Sequence, residues 1–356
     1  MIKARIRKRW APAPDSAGFS LEVELEAAGG VTVLFGPSGS GKTLTLDSIA
    51  GFVRPDEGRI LIDDDLLFDG ATGVHLPPQA RHCGYVFQNY ALFPHMSLRR
   101  NLEFAIERLP RLERHRKVND MLERFRLSDA AGRMPYEVSG GQQQRCSIAR
   151  ALIGSPKLLL LDEPARGLDA PLRADLYAVL RQVRNDFGTP ILLVTHSLEE
   201  CFEMGDQMLV LHGGKVVQSG PPGKVHNQPA SAEVARLFGP CNLLPAEIRA
   251  LDPAKNTSRV RIGDHELNGP YFPGRLLGDR VQLCVRPEEL SAYPRGSKNG
   301  GNQVPAQLVR ALELPHAVRL EFSGGILVDL PRAGFDAVKH NKDWVIEFPQ
   351  QSLRIL

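Results

Sequence analysis

The sequence predicts an α/β domain built on a parallel sheet with a phosphate-binding loop, followed by a smaller all-β domain. Three observations lead there. The segment Gly36-Pro37-Ser38-Gly39-Ser40-Gly41-Lys42-Thr43 fits the pattern G-x-x-x-x-G-K-[ST]. Short apolar runs at 31–35, 158–161 and 191–194 alternate with helical stretches, as buried parallel strands and their crossovers do. Beyond Gly239-Pro240 the helical pattern gives way to short alternating stretches between Gly-, Pro- and Asn-rich turns.

The elements follow in order. Residues 2–9 and 19–26 alternate apolar with polar and predict an antiparallel edge sheet. The basic residues Lys3, Arg5, Arg7, Lys8 and Arg9 alternate with apolar positions, so they read as a solvated strand face rather than a nucleic-acid or membrane patch. Residues 31–35 form a buried strand feeding the loop. Residues 43–50 form a helix whose N-terminus faces the phosphates. The strands at 158–161 and 191–194 flank a helix at 172–187, placed as a crossover should be. Pro221-Pro222-Gly223 breaks a hairpin-like segment, and a short helix is expected at 232–238. Strands are expected at 258–262, 280–285, 303–311 and 317–322, with a turn-rich stretch at 294–302. The expected domains are 1–239, with a helical subdomain at about 89–155, and 240–356 as a β-barrel-like unit.

A chain of 356 residues has room for two cores. Its net charge of +3 is too small for the footprint of a nucleic-acid binder, and no nucleic-acid partner is expected. The five cysteines are widely spaced with no C-x-x-C, which fits free thiols in a reducing compartment. No run approaches the ~18 apolar residues of a membrane span, so any work at a membrane needs a partner that supplies the span.

The chemistry of the loop follows from its residues. Glycines let successive backbone N–H groups turn inward on an anion, Lys42 brings a point charge to the β- and γ-phosphates, and the Thr43 hydroxyl can ligate Mg²⁺. The run 158–161 ends in Asp162-Glu163-Pro164. Asp162 at a strand's carboxyl end can support the metal, and Glu163 can polarise an attacking water. Taken alone, the same three residues would serve equally as a strand-ending turn. Upstream, Val138-Ser139-Gly140-Gly141-Gln142 opens a helical pattern and makes a second anion nest.

With these motifs the sequence resembles the ATP-binding-cassette (ABC) ATPases, whose signature is Leu-Ser-Gly-Gly-Gln; here Val138 replaces the leucine. Further motifs follow the family's order. Gln88 in Tyr85-Val86-Phe87-Gln88 matches the glutamine loop, which senses Mg²⁺ and the membrane partner. His196 matches the switch histidine at the γ-phosphate, and Gly167-Leu168-Asp169 matches the loop that crosses between two sites. The family usually has Ser-Ala where this chain has Arg166-Gly167, which leaves the detail of cross-site communication open. The resemblance covers about residues 1–240. It implies a P-loop cassette that binds ATP and Mg²⁺ and works as a homodimer. In that dimer Ser139, Gly140, Gly141 and Gln142 complete the site of the other copy. An aromatic residue upstream of the loop normally stacks on adenine. Trp10 beside the Pro-rich segment and Phe19 are the candidates, Phe19 reading more as core.

The segment Val285-Arg286-Pro287-Glu288-Glu289 resembles the Arg-Pro-Glu motif of the regulatory (TOBE-like) domain of importer ATPases for oxyanions, sugars, iron and polyamines. The run from Gly73-Val74-His75-Leu76-Pro77-Pro78 through Arg81 to Gln88, then Leu92-Phe93-Pro94-His95, is similar to the molybdate branch. Sulfate, iron and polyamine branches stay open on the C-terminal half. The resemblance implies a peripheral subunit on the cytoplasmic face of the inner membrane, partnered by a permease and indirectly by a solute-binding protein. A soluble ABC ATPase acting on ribosomes or DNA is the rival from another class.

Overall fold

The computed structural model describes residues 1–12, 18–296, 301–336, 338, 340–341 and 343–356. Part of the Pro-rich segment after Trp10 and part of the 294–302 turn lie outside these residues. The chain divides into two compact units, Met1–Val225 and His226–Leu356. The division falls ahead of the Gly239-Pro240 break, so the short helix Ala232–Leu237 belongs with the second unit.

The first unit is built on one sheet. In chain order its strands are β1 (Ile2–Trp10), β2 (Phe19–Ala27), β3 (Val31–Phe35), β4 (Glu57–Ile62), β5 (Asp65–Asp69), β6 (Val74–His75), β7 (Cys83–Val86), β8 (Leu158–Asp162), β9 (Ile191–Thr195), β10 (Gln207–His212) and β11 (Lys215–Gly220). They lie in the order β6-β5-β4-β1-β2-β11-β10-β3-β9-β8-β7. The run β10-β3-β9-β8-β7 is parallel throughout. Its strands β3, β8 and β9 are buried along their whole length, which is why they read as continuous apolar runs. β1, β2 and β4 pair antiparallel and alternate buried with exposed residues. On the exposed face Lys3, Arg5 and Arg7 stand directly opposite Glu26, Glu24 and Glu22. Ion pairs of 3.4, 3.2 and 3.0 Å join them. Lys3, Arg5 and Arg7 are thus one half of a cross-strand charge ladder, while Lys8 pairs with Asp56 at 2.6 Å.

The helices are α1 (Lys42–Ala50), α2 (Leu98–Ala105), α3 (Arg111–Arg124), α4 (Gly140–Leu152), α5 (Ala170–Phe187) and α6 (Leu198–Met204). α2, α3 and α4 fall between β7 and β8. α5 begins earlier than the periodicity implied, because Asp169 caps it and accepts from Leu172 N at 3.0 Å. It ends where Gly188 adopts φ +61. Among the described residues no helix is long and apolar enough to cross a membrane.

The second unit holds two five-stranded sheets. One has the order β14-β13-β12-β15-β21 and the other β16-β20-β17-β18-β19. Their strands are β12 (Asn242–Asp252), β13 (Thr257–Ile262), β14 (His265–Pro270), β15 (Arg280–Val285), β16 (Ser291–Pro294), β17 (Gln303–Glu313), β18 (Val318–Phe322), β19 (Leu327–Leu330), β20 (Asp343–Glu347) and β21 (Arg354–Ile355). Their inner faces share a core centred on Trp344, Phe322, Phe348 and Leu320. The Arg286-Pro287-Glu288-Glu289 segment is a pinned strand end. Arg286 is buried and donates to His226 O at 2.9 Å, and Glu289 Oε2 accepts from Arg354 Nη1 at 2.7 Å.

Candidate functional site

The parallel strands place their carboxyl ends side by side, and the motif residues sit there. β9 lies between β3 and β8, with Phe35 paired to Thr195 and Val194 to Asp162. The phosphate loop after β3, His196 after β9, Glu163 after β8 and Gln88 beyond β7 therefore gather on one edge of the sheet. The loop closes under α1. At Gly36 a Cβ would come within 2.2 Å of Leu211 O, and at Gly41, with φ +101, within 2.6 Å of Leu21 Cδ1. Only glycine fits at these two points. The C-terminus of α1 is held by Arg81, whose buried guanidinium donates at 2.8 Å to the carbonyls of Ser48 and Ile49. Sequence reasoning gave Arg81 no such role.

Lys42 Nζ donates to Gly36 O and Pro37 O, both at 2.8 Å. Burial pulls its pKa down, against the attraction of Glu163 and Asp162. Thr43 Oγ1 donates to Asp162 Oδ1 at 3.1 Å. Asp162 is 6% exposed, and burial pushes its carboxyl pKa up although the Thr43 bond opposes this. A buried carboxylate beside a hydroxyl is a pair of hard oxygens, the ligand type that Mg²⁺ takes. Among the described residues no cluster of three or more His, Cys, Asp or Glu could hold a metal ion.

Glu163 adopts φ +45, the left-handed region that a glutamate rarely occupies. Its Oε1 meets His196 Nδ1 at 3.3 Å, and its Oε2 accepts from Arg166 Nη1 at 3.1 Å. A cleft of about 620 Å³ lies over the loop. Ser38, Gly39, Gly41, Lys42, Thr43 and Leu44 form its floor, and Gln88, Glu163 and Arg166 one wall. Trp10 and Phe19 form the other. They are paired across β1 and β2 with ring centroids 5.8 Å apart. Both candidate aromatics thus face the cleft. Phe19 packs on the edge of the core and is not fully buried in it.

Ser139, Gly140, Gly141, Gln142 and Asp169 do not line this cleft. Ser139 and Gln142 form a reciprocal cap at the start of α4. Ser139 Oγ accepts from Gln142 N at 3.3 Å, and Gln142 Oε1 accepts from Ser139 N at 3.1 Å. Further along α4 three side chains reach two other loops. Gln144 Nε2 donates to Pro164 O, beside Glu163. Ser147 Oγ donates to Tyr90 O and Arg150 Nη1 to Ala91 O, each at 2.8 Å, just beyond Gln88. These ties escaped sequence reasoning, since a helical Gln, Ser or Arg carries no local sign of its partner. Arg166 had registered only as a departure from the usual Ser-Ala.

Behind His196 a pocket of about 290 Å³ is lined by Arg173, Tyr177 and Glu200, among others. Arg173 Nε, Tyr177 OH and Glu200 Oε1 are buried without a hydrogen-bond partner among the described residues. Glu200 is 2% exposed, and burial pushes its pKa from 4.5 up to about 7, against a hydrogen bond with Thr195. Between those two values the folded chain holds a proton that the unfolded chain has released, so stability falls as pH rises through the window. Glu200→Gln removes that loss. It is expected to stabilise the chain by about 3 kcal/mol at pH 8 and by under about 1 kcal/mol at pH 5. Thermal unfolding at the two pH values checks this, and an equal gain at both would refute the burial argument.

A phosphate loop at the edge of a parallel sheet, facing an Asp-Glu strand end and a histidine, defines a nucleotide-hydrolysing domain. The family model for ABC transporters matches residues 20–166. A molybdenum import ATP-binding protein of Paramagnetospirillum magneticum is 40% identical over 77% of this chain and 75% of its own length. A spermidine/putrescine import ATP-binding protein of Nitratidesulfovibrio vulgaris is 40% identical over 76% and 73%. A sulfate/thiosulfate import ATP-binding protein of Thermosynechococcus vestitus is 42% identical over 88% and 87%. Among solved structures, a dimeric ATP-binding cassette in a post-hydrolysis state, bound to ADP and phosphate, superposes with a TM-score of 0.54. It is 27% identical and covers 62% of this chain and 99% of its own. The chain belongs to the ATP-binding subunits of ABC transporters of the import type, and it is an ATPase coupled to transport.

Proposed function

We propose that this chain powers uptake of molybdate or tungstate through a separate membrane permease, working as a homodimer on the cytoplasmic face of the inner membrane. The observation that carries the solute assignment is the run 73–95. It is similar to the molybdate branch and flanks Gln88, the point where these cassettes meet their permease. The 40% identity to a molybdenum import ATP-binding protein supports it. The ATPase does not itself select the anion, and a binding protein that does so is part of the reading. Sulfate is the second reading, favoured by the 42% identity over most of the chain to a sulfate/thiosulfate importer subunit.

In this reading residues 36–43 wrap the triphosphate and Lys42 turns from its loop carbonyls to the β- and γ-phosphates. Thr43, Asp162 and Gln88 hold Mg²⁺, which when bound neutralises charge on the phosphate oxygens. Glu163 takes a proton from the attacking water as its oxygen bonds to the γ-phosphorus and the bond to the ADP oxygen breaks. His196 orients the γ-phosphate, and Trp10, with Phe19 beside it, offers adenine an aromatic face. Ser139, Gly140, Gly141 and Gln142 cap the nucleotide held by a second copy, and Asp169 lies in the loop that passes between the two sites. Their place outside this chain's own cleft supports that division of labour. The second unit serves as the regulatory domain.

Reconstituting the ATPase with its cognate permease and binding protein, and measuring hydrolysis with each solute, tests the assignment. Molybdate or tungstate is expected to stimulate turnover. Stimulation by sulfate alone favours the second reading, and stimulation only by a polyamine, ferric ion or a sugar rejects both.

A further inference from the structure

Arg166 follows Glu163 by three residues and stands where the resemblance leads one to expect a serine. Its guanidinium is engaged on both sides of the cleft wall. Nη1 donates to Glu163 Oε2 at 3.1 Å. Nε donates to the Gln88 side-chain oxygen at 3.0 Å once the amide is turned to bring that oxygen toward the guanidinium. The second Glu163 oxygen meets His196. Packing does not lock Arg166 in place, for its side chain is 57% exposed while Glu163 is 13% exposed.

We propose that Arg166 is a positioning residue that bridges Glu163 and Gln88 on the metal side of the cleft, so that MgATP enters by displacing it. This rests on the reading of Glu163 and Gln88 given above. Both groups present oxygen acceptors toward the space where the metal and the attacking water belong. A guanidinium held between them fills the same electrostatic role as a bound cation. Arginine has donors only and does not lose its proton near neutrality, so it can leave only by moving. Its long, exposed stem lets it swing toward solvent, and an ion pair with one exposed partner is weak enough to be broken by the incoming ligand. Lys42 is held in the same manner on the carbonyls of Gly36 and Pro37. Two internal cations thus stand in the site, one on the phosphate side and one on the metal side.

The alternative role for an arginine at this place is direct attraction of the triphosphate, and it gives the opposite sign on removal. The test uses the full chain with Arg166→Ser and Arg166→Lys. Equilibrium titration with a fluorescent ATP analogue is run in Mg²⁺ and in EDTA, alongside KM and kcat. Arg166→Ser is expected to bind MgATP about fivefold tighter, with KM falling in step. The gain should be smaller in EDTA. Arg166→Lys should restore part of the wild-type affinity, because an ammonium can hold Glu163 but lacks the fork that also reaches Gln88. Unchanged or weaker MgATP binding by Arg166→Ser, beside a wild type that binds normally, overturns the proposal. Failure of the wild type to bind ATP would instead overturn the reading of the cleft.

Discussion

Glu163→Gln is expected to abolish turnover while leaving ATP binding intact. The amide keeps the shape of the side chain and its contact with Arg166, but it has no basic oxygen to take the proton from water. Loss of a general base lowers kcat by roughly 10²–10⁴-fold. The nucleotide cleft is otherwise unchanged, since Lys42, Thr43 and Asp162 bond among themselves and to the loop, not to Glu163. With hydrolysis blocked, ATP should hold two copies together, and size-exclusion chromatography in ATP should reveal a stable dimer that ADP does not support. Wild-type hydrolysis by this variant would remove Glu163 from the chemistry.

Lys42→Ala acts a step earlier. The ammonium is the only charge within residues 36–43, so nothing in the loop can replace it. Charge-assisted bonds to two phosphates are together worth enough to cost roughly 100-fold or more in affinity when removed. The substitution also frees the carbonyls of Gly36 and Pro37, so the loop loses two of its internal ties. Titration with ATP separates the two effects from thermal unfolding measured without nucleotide. Near-normal affinity would overturn the reading of the loop.

The site was legible in the sequence to the extent that its chemistry is local. The phosphate loop, Asp162-Glu163 and the cap at Ser139 each lie within a few consecutive residues, and the apolar runs at 31–35, 158–161 and 191–194 announced buried strands. What is set by distant pairing was not legible. Nothing near Leu158 tells that β9 lies between it and β3, and nothing near Arg166 tells that its guanidinium reaches Gln88. The short strands β6, β16, β19 and β21 have too few residues to declare a period. Gly239-Pro240 looked like a boundary because such a pair breaks local structure. The division after Val225 depends instead on which residues pack together. The charge ladder of β1 shows the same limit. Alternation put Lys3, Arg5 and Arg7 on one face, and only the register with β2 supplied their acidic partners.

The fastening of α4 has a thermodynamic consequence. One rigid rod is bonded through Gln144 to the turn that carries Glu163, and through Ser147 and Arg150 to the segment just past Gln88. A rotation of that rod shifts both ends together. If binding at the 90–91 segment favours one orientation of α4, the affinity for nucleotide changes by some factor, and linkage requires nucleotide to change the affinity at that segment by the same factor. Under that condition the helix works as a balance beam, on which weight placed at either pan is felt equally at the other.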